Sequence, residues 1–152
     1  MSFIALLVLS LAANVVLVRK LFVGNTQVIE GDSRISIVVS QPNRDFVMSE
    51  MRNFVETLHQ INMGIEQNDS SLIVEAARSS GGSVAHHAPA GLIASIPMGF
   101  KTIGFDTHAK FDSIANSAKK NFDPKVTQQQ VTALLGNCVA CHRSYRMDVK
   151  KD

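Results

Sequence analysis

The sequence predicts an all-α domain, a four-helix up-and-down bundle, preceded by an N-terminal apolar helix. Three observations carry this. The chain opens on an uncharged apolar run from Phe3 to Val18. After position 42, apolar residues recur at steps of three and four in several stretches. Composition agrees: Ala, Leu, Met, Gln and Lys are plentiful, Trp is absent, and β-branched residues rarely alternate after position 40. At 152 residues there is room for one domain plus an appendage, not for two domains.

The first element divides off as residues 1–23. Its sixteen uncharged residues, Phe3 to Val18, precede Arg19 and Lys20. Spanning a bilayer takes about 20 residues, so the run suffices only if a snorkelling Arg19 or Lys20 is counted in. A cleavable signal would open on a basic stretch, whereas Met1 and Ser2 offer only the terminal amine, and the one passable cleavage site, Ser10-Leu11-Ala12, lies in mid-run. A retained membrane anchor is the expectation, with a cleaved signal segment as the alternative.

Residues 24–42 read as a linker. Gly24-Asn25, Gly31-Asp32 and Gln41-Pro42-Asn43 are turn signals around Ile35–Val39, which leaves room for one extended segment lying on the domain. The domain itself spans 43–150. Its first helix opens near Asn43, after Pro42, and carries Val47, Met51, Phe54, Leu58, Ile61 and Ile65 along one face. A second starts at Asp69 or Ser70 and ends at Gly81-Gly82. Residues 83–104, with their Gly and Pro residues and His86-His87, read as a structured loop. A third helix covers Thr107 to Lys120. The last begins at Pro124, suited to a first helical position, and runs to about Met147.

Charge excludes one class of partner. The net charge is +2 and the basic residues are scattered, so no nucleic-acid-binding stripe exists. No nucleophile with a base, no meaningful carboxylate pair and no phosphate loop is visible, and no enzyme activity is expected.

Cysteine arithmetic is the most informative feature. The chain has two cysteines, and both fall within Cys138-Val139-Ala140-Cys141-His142. On a helix, a two-residue spacer puts both thiols on roughly one face, where they can add to the two vinyl groups of a haem while the adjacent imidazole turns to the iron. A structural zinc would need further ligands from scattered histidines, and a thioredoxin-like dithiol wants a preceding strand. The expected cofactor is therefore one covalent haem c, held by Cys138 and Cys141 and ligated by His142.

With that motif followed by Arg143-Ser144-Tyr145-Arg146 near the end of a four-helix pattern, the region from about Asn43 to Met147 resembles the class II cytochromes c, meaning cytochrome c-prime and its low-spin, Met-ligated relatives. The resemblance implies a second axial position on the first bundle helix, four residues after an Arg. Here Arg44 is followed at that distance by Met48, with Met51 one turn on as the alternative ligand. A thioether there implies a six-coordinate electron carrier. Arg44 and Arg146 match family positions and are the expected partners of the haem propionates. The spare histidines, His59, His86, His87 and His108, are not expected to be ligands.

Together these readings imply electron transfer between redox protein partners, such as a membrane respiratory or photosynthetic complex, from a domain on the periplasmic side of a bacterial inner membrane. Arg19 and Lys20 pull against that orientation by the positive-inside tendency, and the haem motif is given precedence. The alternatives are a soluble periplasmic protein after signal cleavage, a gas-binding (NO or CO) cytochrome, and an accessory haem subunit. The resemblance also allows a homodimer.

Overall fold

The computed structural model describes residues 3–85 and 87–150, and the chain is 76 % helical. His86 lies outside the described residues. The N-terminal apolar helix is present as α1 (Phe3–Val23), none of whose residues is buried. It continues through Arg19 and Lys20, so its 21 residues are long and apolar enough to cross a bilayer, a property that a signal sequence shares.

The chain then departs from the expected linker. Thr26–Ile29 (β1) and Asp32–Val39 (β2) form an antiparallel hairpin closed by Gly31 at φ 79°. Ile37 and Val39 are buried, so this segment belongs to the domain's core. The physical reason is strand patterning: Asp32, Arg34 and Ser36 alternate with Ile35, Ile37 and Val39.

Helix α2 (Gln41–Gln67) is capped by the Ser40 hydroxyl, which accepts from Asn43 N at 3.4 Å, and it stops at Asn68 in the left-handed region. The Asp69 carboxylate accepts from Ser71 N and Leu72 N and so starts α3 (Ser70–Ser79). Two short helices, α4 (Gly82–Ala85) and α5 (Ala90–Ser95), occupy part of the expected loop. Helix α6 (Met98–Lys120) starts nine residues before the expected Thr107. Pro97 at its N-cap sets the true start, and Gly99 and Gly104 are carried inside it. Gly99 is a close approach rather than a helix breaker, because a Cβ there would collide with the Tyr145 hydroxyl.

Helix α7 (Pro124–Ser144) opens where Pro124 predicts, with the Asp123 carboxylate accepting from Lys125 N at 2.8 Å and Val126 N at 3.0 Å. It ends three residues before the expected Met147. The chain straightens instead into β3 (Tyr145–Val149), which pairs in parallel with β2 from Ile35↔Tyr145 to Val39↔Val149. Sheet order is β1-β2-β3.

Two apolar cores result. One collects Phe54 and Ile61 of α2, Ile73, Ala76 and Ala77 of α3, Phe111, Ile114, Ala115 and Ala118 of α6, and Val131 and Leu134 of α7. The other joins Ile37 and Val39 of β2 to Val47 of α2 and Leu92 and Ile96 at α5. Met51 packs against both.

Charges fasten β3 to the hairpin. Arg146 donates to Asp32 at 3.0 Å and to Asp148 at 2.8 Å; Arg34 reaches Asp32 at 2.8 Å, and the Ser36 hydroxyl donates to Asp148 at 2.6 Å. The Arg34 hydrogen bonds, followed by that from Arg146, hold the Asp32 carboxyl well below the usual aspartate range. Asp148 is lowered by Ser36 first and Arg146 second. A depressed carboxylate contributes stability above its unfolded pKa and loses it as pH falls through the folded value.

Two outcomes follow for stability. Asp32→Asn should lower the midpoint of thermal unfolding at pH 7, and the gap to wild type should shrink as the pH drops below about 4; a gap that widens in acid would contradict the network. Phe111, fully buried in the larger core, should cost about 3–5 kcal/mol on replacement by Ala in urea unfolding, because the ring leaves a cavity among four helices.

Candidate functional site

Cys138, Cys141 and His142 occupy the last two turns of α7, just before the helix gives way to β3. The Tyr145 N–H caps that end by donating to the Cys141 carbonyl. The i, i+3 spacing puts both part-buried thiols on one face, and that face borders a cleft of about 860 Å³, a volume that includes its open mouth.

The cleft lies along the junction of the two cores. Phe54 of the larger core lines it on one side, and Val47, Leu92 and Ile96 of the smaller core line it on the other; Phe46, Phe100 and Phe105 add aromatic wall. A second cleft adjoins it. Met51, Val47, Phe100, Cys141 and His142 border both, while Arg34, Arg44, Met48, Tyr145, Arg146 and Met147 border only the second. His142 is exposed at the boundary between them.

The six residues singled out from sequence are thus brought to one region. Cys138 lines the apolar cleft, Cys141 and His142 line both, and Met48, Arg44 and Arg146 line the second. Met51 borders both. Arg146 is already held by Asp32 and Asp148, whereas Arg44 uses only Nε, on the Met147 carbonyl at 3.4 Å. Arg44 is the freer of the two guanidinium groups.

Three contributors escaped the sequence reading. Arg34 joins the guanidinium side; its signal was the polar alternation of Asp32, Arg34 and Ser36. Lys101 lines the apolar cleft although it is only 6 % exposed. His108 also lines it, its ring edge-on to Phe54 at 5.2 Å and its Nδ1 2.8 Å from the Ser80 carbonyl. A carbonyl can only accept, so Nδ1 donates in this contact. Nothing in the sequence distinguished this histidine from the other spare ones. His59 and His87 are exposed and do not line the cleft.

Among the described residues, no three His, Cys, Asp or Glu side chains gather to hold a bare metal ion. Burial pushes the Cys138 thiol above the ordinary range, and burial, followed by the neighbouring Cys138, does the same for Cys141. Reactive dithiols show the opposite shift. Compared with known proteins, the chain matches no family model, and no curated protein or solved structure matches it at a significant level.

In chain prepared without haem maturation, both thiols should alkylate more slowly than a free cysteine at pH 7.5, with rates still climbing above about pH 8.5. A rate that levels off by pH 7 would mean a low-pKa dithiol instead.

Proposed function

We propose that the chain is a monohaem c-type cytochrome that passes electrons between membrane-associated redox partners. The observation that carries the reading is the pairing of the Cys138-x-x-Cys141-His142 motif with a deep apolar cleft directly beneath it. Donor chemistry fits the group. A porphyrin brings four nitrogens of its own, so it needs from the protein two thiols and one or two axial ligands, not the three- or four-residue cluster that a bare zinc requires.

On this reading α2, α3, α6 and α7 are the four helices of the family's up-and-down bundle. Cys138 and Cys141 would hold the group through thioether links to its two vinyl substituents, and His142 would ligate its iron. Phe46, Phe54, Phe100 and Phe105 exclude water from the apolar side, and low polarity there favours the less charged form of a redox centre. Arg44, with Arg34 and Arg146 behind it, offers guanidinium partners for carboxylates at the open edge. When bound, haem supplies reversible one-electron chemistry at iron.

A second ligand to the iron would come from α2. The resemblance favours Met48; the position of Met51 on the walls of both clefts favours Met51, and we adopt Met51. The apolar helix α1 serves as a membrane anchor, with the domain on the periplasmic face of a bacterial inner membrane.

Co-expression with a haem maturation system should yield coloured protein whose mass is raised by one haem, and Cys138→Ala with Cys141→Ala should abolish both. Met51→Ala should convert a low-spin ferric spectrum to a five-coordinate, high-spin one and remove the weak sulfur-to-iron band, whereas Met48→Ala should leave the spectrum intact. The reverse pattern returns the assignment to Met48. A low-spin spectrum surviving in both variants defeats a thioether ligand, and a high-spin wild type with rapid carbon monoxide uptake supports gas binding instead.

A further inference from the structure

We infer that α1 is joined to the domain by a rigid joint, locked by Lys101, which holds the haem cleft at a fixed orientation to the bilayer; the inference rests on the reading of α1 as a membrane anchor. Between the end of α1 at Val23 and the start of β1 at Thr26 lie two residues, Gly24 and Asn25. Neither is free. Gly24 adopts φ 67°, and a Cβ there would come within 2.5 Å of the Ser95 carbonyl oxygen and 2.8 Å of Pro97 N, so the chain presses its bare backbone against the α5–α6 corner. The Asn25 N–H donates to the same Ser95 carbonyl at 2.7 Å, its side-chain amide donates to Ser95 Oγ at 3.3 Å, and its carbonyl accepts from Val38 N at 2.8 Å.

Lys101 completes the lock from below. The residue is 6 % exposed, and its ammonium donates to the Leu21 carbonyl at 3.0 Å. Leu21 stands in the last turn of α1, where carbonyls lack intrahelical partners and the helix dipole presents its negative end. A buried cation with this placement is stabilised by the helix end and in turn fixes that end. Removing either partner leaves the other unsatisfied.

The corner that receives α1 is also a wall of the cleft, since Ile96, Phe100 and Lys101 line it. Anchor and cleft wall therefore move as one body. A flexible tether would let the domain sweep through solvent and meet soluble carriers. A rigid joint presents the haem edge at one height and one angle, which suits a partner embedded in the same membrane.

The joint can be tested on the full chain in lipid nanodiscs, with spin labels placed by Leu11→Cys in α1 and Asn62→Cys in α2 on a Cys138→Ala, Cys141→Ala background. The wild-type distance distribution should be a single narrow peak. Lys101→Met should broaden it about twofold or more, as expected when a buried charged hydrogen bond to a helix end is lost, and Gly24→Val should do the same by a different route. A broad wild-type distribution overturns the proposal, whether or not the variants fold, and so does an unchanged width in both variants. Because the labelled background cannot attach haem, the peak width bears on the joint alone, and failure of the wild-type chain to acquire haem on maturation would reject the cytochrome reading and leave the joint standing.

Discussion

The parallel pairing of β3 with β2 is the constraint on which the placement of the motif depends. It takes the five residues after α7 out of the helical path and fixes them beside the hairpin, from Ile35↔Tyr145 to Val39↔Val149. Helix α7 must therefore end at Ser144, and Cys138, Cys141 and His142 fall in its last turns at the level where the hairpin core begins. Arg146 reinforces the pairing by bridging Asp32 and Asp148. Without that clamp, the last turns of a long helix with exposed termini would fray, and with them Cys138, Cys141 and His142.

A second consequence concerns the division of the interior. Helix α2 passes through both cores, contributing Val47 to one and Phe54 and Ile61 to the other. Met51 of the same helix packs against both, and the apolar cleft, lined by Phe46, Phe54, Phe100 and Phe105, lies along their junction.

Helical periodicity made the long helices legible from sequence, as did the start at Asp69 or Ser70 and the Pro at the start of α7. What was missed shares a cause. Ile35–Val39 is a five-residue apolar run whose strand partner, Tyr145–Val149, lies more than a hundred residues away, and local patterning cannot show a parallel pairing at that separation. The same blindness put the end of α7 too late. The start of α6 falls inside the loop expected over 83–104, where Pro97 and Gly99 read as punctuation, although Gly99 accommodates the approach of Tyr145, again a distant residue. Of the site, the motif was visible in local spacing, while Met48, Met51, Arg44 and Arg146 were picked out through the family resemblance that the motif supports. Arg34, Lys101 and His108 become site residues only through tertiary placement.

The two clefts that meet at His142 have opposite characters. One wall is aromatic and aliphatic, and the other carries the guanidinium groups of Arg34, Arg44 and Arg146. A ligand spanning them would have to be apolar over most of its body and anionic at one edge. Simple hydrophobic ligands do not need three guanidinium groups, and simple anions do not need a large aromatic wall. The proposed haem has both attributes, an apolar macrocycle and two propionates, and its covalent attachment would fall at the boundary, where Cys141 and His142 border both clefts. Asp32 and Asp148 neutralise Arg146, and Asp32 also pairs with Arg34, which leaves Arg44 with the most unused hydrogen-bonding capacity of the three guanidinium groups.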